Sequence, residues 1–100
     1  MLRRLSGPLE ALTACGIARH AEPGVIELFL SDAERADGGM VTISMRVPVR
    51  DKDGRSGYEL WSAWLAVPPG VQEGERLVPS ALLPGMVRPV SFRVRPDSAA

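Results

Sequence analysis

From Met40 to Arg50 the chain alternates with a period of two. Val41, Ile43, Met45, Val47 and Val49 fall on one face, and Thr42, Ser44, Arg46, Pro48 and Arg50 on the other. Side chains of a β-strand point alternately to opposite faces, so this pattern predicts a half-buried strand. Asp51 to Gly57 is rich in Asp, Gly and Ser, and Tyr58 to Val67 reads as a second long strand. Together they predict a long β-hairpin. In a chain of 100 residues such a hairpin constrains everything else: twist accumulates along long strands, so the remaining elements must curl around it within one domain.

The other elements are shorter. Ser6, Pro8 and Glu10 form a helix start, with Ser6 as N-cap, and Leu9 and Leu12 share a face, which predicts a helix over residues 8–15. Val25 to Leu30 is a strand rich in β-formers, and residues 31–39, polar, acidic and ending in Gly38-Gly39, read as a loop. Arg76 to Val78 is a very short strand, and Ser80 to Gly85 suits a single 3₁₀ turn. Val90, Phe92 and Val94 alternate with Ser91, Arg93 and Arg95 in a last strand. Pro48 and Pro89 lack a ladder donor and predict edge positions. Residues 1–96 form the single domain and 97–100 a frayed tail.

Composition narrows the functional classes. Twelve basic side chains balance twelve acidic ones, so the basic excess by which proteins neutralise duplex DNA is missing. No window approaches the ~18 apolar residues of a membrane span. Leu12-Thr13-Ala14-Cys15 resembles the bacterial lipobox, but Gly7, Pro8 and Glu10 interrupt the apolar stretch that an export signal requires. The lipoprotein reading is therefore disfavoured. Cys15 is the only cysteine and cannot form an internal disulfide, which points to a cytoplasmic protein.

One short helix followed by five strands, with a one-turn connector before the last, resembles the Sm-like (Lsm) proteins, a family of small SH3-like barrels. Leu83-Pro84-Gly85 and the apolar stretch around Val87 and Val90 echo that family's second motif. Pro84 stands where the family has Arg, and the Gly, Asp and Asn of its first motif have no counterpart in residues 40–67. The expected fold is a mainly β, small bent five-stranded SH3/Sm-like barrel with a short N-terminal helix. A small β-sandwich or OB-like barrel is the alternative.

Chemistry-bearing motifs are few. Asp51-Lys52-Asp53-Gly54 opens like a calcium loop, but Arg55 occupies the third ligand position, and Asp and Gly are also ordinary hairpin-turn residues. Cys15 and His20 are too few for a metal site; Cys15 reads as a small packed residue and His20 as solvent-facing near a helix end. No catalytic residue, metal or cofactor is predicted. The strand from Tyr58 to Val67 says more, because Tyr58, Leu60 and Trp64 occupy the face opposite its core-facing residues. That second face needs a cover, either the N-terminal helix or a partner.

The leading expectation is accordingly a non-enzymatic binding and assembly module that self-associates or takes a protein partner through Tyr58, Leu60 and Trp64. The alternative is an Sm-like single-stranded RNA-binding protein, in which Tyr58 and Trp64 stack on bases while Arg88, Arg93 and Arg95 hold phosphates.

Overall fold

The computed structural model describes residues 5–80 and 89–97. Along them run β1 (Gly7–Pro8), α1 (Leu9–Ala14), β2 (Ala18–Glu22), β3 (Val25–Leu30), α2 (Asp32–Asp37), β4 (Gly39–Arg50), β5 (Ser56–Val67), β6 (Arg76–Leu77) and β7 (Ser91–Pro96). The protein is mainly β. Its strands form a three-stranded sheet ordered β1-β4-β5 and a four-stranded sheet ordered β2-β3-β7-β6. They do not close into a barrel, so two sheets around one core replace the five-stranded barrel expected from element order.

The hairpin predicted from periodicity is the longest feature. β4 and β5 pair in register from Gly39↔Val67 to Arg50↔Ser56. The turn between them is built by Asp51, whose carboxylate accepts the backbone N–H groups of Asp53 at 2.9 Å and Arg55 at 2.8 Å. This is turn chemistry, in which an Asp side chain mimics a backbone carbonyl. On the inner face Val41, Ile43, Val47, Trp61, Leu65 and Val67 are buried.

The second sheet supplies Ile26, Leu28, Leu30, Leu77, Phe92 and Val94 to the same core, and Leu5, Leu9 and Leu12 join it from the N-terminal segment and α1. β7 runs parallel to β3 and antiparallel to β6, so the last strand is internal and not the edge that Pro89 suggested. Pro89 precedes the strand and removes no ladder bond from it. Pro48 does stand on an edge. The Thr42 N–H points away from β5, donating to the Ser6 hydroxyl at 3.2 Å, and by the two-residue period the nitrogen of Pro48 points the same way.

Several local expectations are corrected. Residues 32–37 are helical where a loop was expected: Ser31 and Glu34 form a reciprocal capping box, yet no residue of α2 is buried, so no apolar stripe announces it. β2 has only Ala18 buried and carries no alternation to read, and the two-residue β1 is defined only by its parallel pairing with β4. The N-cap of α1 is Pro8 and not Ser6. Cys15 is exposed at the C-terminal cap of α1 instead of packed, and His20 is exposed but sits on β2. Asp97 is tied by its N–H to the Leu30 carbonyl at 2.9 Å, so it belongs to the fold and not to a frayed tail. The turn over residues 80–85 and the motif echo at 83–87 fall mostly or wholly outside the described residues.

Gly38, which ends α2 and leads into β4, tests how tightly the ribbon is anchored. Its φ is +68°, and a Cβ there would lie 2.7 Å from the Pro69 nitrogen and also collide with the Val67 carbonyl. Gly54, with φ +82°, has open space around it. Gly38→Ala is expected to cost about 2–4 kcal/mol in urea unfolding and Gly54→Ala only about 1 kcal/mol. Equal costs would mean that the anchor yields.

Candidate functional site

Because β4 and β5 are in register, their outward faces combine into one surface. Across it Thr42 lies opposite Trp64, Ser44 opposite Ser62, Arg46 opposite Leu60 and Pro48 opposite Tyr58. Tyr58, Leu60 and Trp64 retain 72%, 70% and 48% of their accessible surface. They form a row of large apolar side chains that the N-terminal helix does not cover: α1 packs against β1, β2 and β4, not over Trp64. Of the two covers considered for this face, the intramolecular one is therefore missing among the described residues.

A cleft of about 430 Å³ opens where α1 meets the ribbon, lined by Leu9, Glu10, Thr13, His20, Arg46 and Leu60 among others. A smaller space of about 140 Å³ continues past His20 and Met45 toward Ile26, Val47 and Val90. Both lie at the seam where the two sheets part. On the opposite margin the sheets approach through Ser80, whose N–H donates to the Trp64 carbonyl at 2.8 Å while its hydroxyl accepts the Trp64 N–H at 3.2 Å.

The arginines predicted to hold phosphate are placed elsewhere. Arg93 and Arg95 belong to β7, on the outer face of the four-stranded sheet, across the core from Tyr58 and Trp64; Arg88 lies outside the described residues. Both are engaged with acids. Glu27, on β3, is the one buried charged residue among those described, and it sits between cross-strand partners Arg19 on β2 and Arg93 on β7. Its carboxylate accepts from Arg19 Nε at 2.9 Å and lies 3.5 Å from Arg95 Nε and 3.8 Å from an Arg93 nitrogen. Arg93 also reaches Glu22 at 3.0 Å, Arg95 reaches Glu73 at 3.3 Å, and the Arg19 guanidinium stands 5.4 Å over the Phe29 ring.

The Arg19 hydrogen bond holds the Glu27 carboxyl below its ordinary range. Burial opposes this, and the charges of Arg19, Arg95 and Arg93 add to the lowering. The cluster is a structural clamp across three strands. Its signal in the sequence is a lone acid, Glu27, inside the apolar run Val25 to Leu30. By contrast Arg46 and Arg50, on the ribbon's outer face beside Leu60 and near Tyr58, have no acidic partner among the described residues. They are the cations that share a surface with the exposed aromatics, and the sequence marks them only as part of the polar face of a strand.

Among the described residues no group of three His, Cys, Asp or Glu side chains is placed to hold a metal, and no helix is long and apolar enough to cross a membrane. Comparison with protein families, with curated proteins and with solved structures found no match.

The clamp makes a pH-dependent prediction. Since the folded state lowers the Glu27 pKa from 4.5, its stabilisation is fully present above pH 4.5 and is lost as the pH falls through the depressed folded value. Glu27→Gln should cost about 1–2 kcal/mol at pH 7, reduced from the buried-pair range because its arginines are partly exposed. Urea unfolding from pH 7 to 3 should show the gap between wild type and variant closing below pH 4.5. A gap constant with pH would exclude the clamp as its source.

Proposed function

We propose that the protein is a non-enzymatic binding and assembly module whose contact surface is the outer face of the β4–β5 ribbon, and that it self-associates there. The observation that carries this reading is the exposed row of Tyr58, Leu60 and Trp64 on one strand face. Keeping apolar surface in water forgoes about 25 cal/mol for every Å² that could be buried, and large apolar side chains gathered on one exposed face, here Tyr58 beside Leu60 with Trp64 beyond Ser62, mark interaction sites. Trp and Tyr are also the residues that most often anchor an interface. A single cysteine without a disulfide fits work in the cytoplasm.

Light scattering over a concentration series tests the reading. The mass should rise from monomer toward dimer between about 1 and 300 μM, and Trp64→Ala should weaken the association about tenfold, the equivalent of ~1.4 kcal/mol. A mass that stays monomeric throughout would sink it.

A second reading, Sm-like binding of single-stranded RNA, draws support from the coincidence on one face of Tyr58 and Trp64 with Arg46 and Arg50, which have no acidic partner among the described residues. In it the phosphate contacts pass from Arg93 and Arg95, which the Glu27 clamp occupies, to Arg46 and Arg50. Fluorescence anisotropy with a labelled oligouridine should then show binding that weakens steeply with salt and falls in Trp64→Ala and Arg46→Ala. No binding at low salt would end this alternative.

A further inference from the structure

An unpaired strand edge is a template for another strand, and folded domains blunt such edges with proline, with charge or with a cover. The two edges of the β4–β5 ribbon are treated in opposite ways. Even-numbered residues on both strands turn their peptide groups outward, as the bonds of Thr42 to Ser6 and of Trp64 to Ser80 establish. On β4 the outward positions beyond the reach of β1 are Arg46, Pro48 and Arg50, two charges flanking a residue without an N–H. That edge is guarded.

On β5 the outward positions are Ser56, Tyr58, Leu60, Ser62, Trp64 and Ala66, and among the described residues only Trp64 is closed, by Ser80. Tyr58, Leu60 and Ser62 make no hydrogen bond on that side among the described residues, and none of them is charged or proline. Among the described residues the N–H and C=O groups of these three consecutive outward positions are unbonded, with Tyr58 and Leu60 exposed beside them. A two-stranded ribbon is marginal alone, and residues 50–60 are exposed throughout, so a further strand here would reinforce the least supported part of the molecule.

We propose that this edge pairs antiparallel with the same edge of a second copy, about a two-fold axis at Leu60. The result is a continuous sheet ordered β1-β4-β5-β5-β4-β1. The inference rests on the reading that the ribbon is the surface of association, and it specifies the geometry. A second copy fits because the edge complements itself: under a two-fold axis each chain presents the donors that the other accepts. With Leu60 opposite Leu60, Tyr58 faces Ser62 of the other copy. Glu59, the only charged residue from Tyr58 to Ser62, then faces Trp61 and not another Glu59, so no like charges stand directly opposite. The chain's zero net charge sets no long-range repulsion against the encounter. Pairing stops at Trp64, where Ser80 already holds the edge.

Two edge variants and one spectroscopic readout test this. Leu60→Pro removes an outward N–H that the β4–β5 ladder does not use, and Ser62→Lys places a charge on the edge; Tyr58, Trp64 and the inner face are untouched in both. At concentrations where wild type is dimeric by light scattering, both variants should be monomeric, weakened at least tenfold, with unchanged circular dichroism. Amide hydrogen exchange at Tyr58, Leu60 and Ser62 should slow as wild type is concentrated. If Leu60→Pro fails to fold, Ser62→Lys and the exchange data decide. A wild type that dimerises with no slowing at these amides would overturn edge pairing while leaving association through the apolar face intact, whatever the two variants do, because Leu60 and Ser62 also stand on that face. A wild type that remains monomeric would overturn both.

Discussion

The twelve-residue ladder between β4 and β5 is the constraint from which the rest of the structure follows. Its inner positions, Val41, Ile43, Val47, Trp61, Leu65 and Val67, supply one whole wall of the core. A slip of one residue would turn all the inner positions of the slipped strand to water and bring residues such as Arg46 or Ser62 inside, so the register has no near competitor. The Asp51 turn at one end and Gly38 at the other fix it further. The other elements are short; β1 pairs with the ribbon, α1 and the second sheet face it across the core, and α2, with no buried residue, leads into its first strand.

The second sheet solves a different problem, since its strands come from distant parts of the chain. β3 and β7 pair in parallel, which requires a long connection, and here the whole ribbon lies within that connection. Parallel pairs between such remote segments carry a chain-entropy cost that local hairpins avoid. Glu27 offsets part of it by placing one carboxylate where Arg19, Arg93 and Arg95 meet, so β2, β3 and β7 are tied by charge as well as by the ladder. The value of the clamp lies in its geometry: the guanidiniums cover the acid that they neutralise, and each has a carboxylate within ion-pair distance although the buried Arg95 Nε makes no hydrogen bond.

What was legible in the sequence follows from where burial leaves a periodic trace. β4 and β5 were legible because apolar residues alternate along them and α1 because Leu9 and Leu12 share a face, whereas β3, apolar on both faces, was legible from its β-forming residues and the two-residue β6 from the proline and glycine that flank it. β2 and α2 left no such trace. Their residues are mostly exposed, and they are held by backbone pairing and by a capping box, interactions that any polar stretch of similar composition can display. The placement of β7 inside its sheet was likewise invisible, because pairing partners are a property of topology and not of local pattern. For the candidate site, the face carrying Tyr58, Leu60 and Trp64 was legible from an excess of apolar residues on both sides of one strand. The fate of Arg93 and Arg95 was not, since it depends on Glu27, some 65 residues away in sequence and directly alongside in space.

That difference between arginines explains how a chain of zero net charge acquires two unlike surfaces. On the four-stranded sheet each of Arg19, Arg93 and Arg95 has an acid within reach, and the central strands of that surface are tied by their own ion pairs. On the ribbon, Arg46 and Arg50 have no acidic partner among the described residues, and they stand on the β4 side, where together with Pro48 they discourage strand addition. β5, a few ångströms away in the same sheet, has no such protection and carries the largest exposed apolar side chains. The same fold thus guards the β4 edge with charge and proline and leaves the β5 edge and its apolar face exposed among the described residues. This asymmetry is built from side-chain choice alone, because the two strands share one ladder and nearly the same backbone geometry.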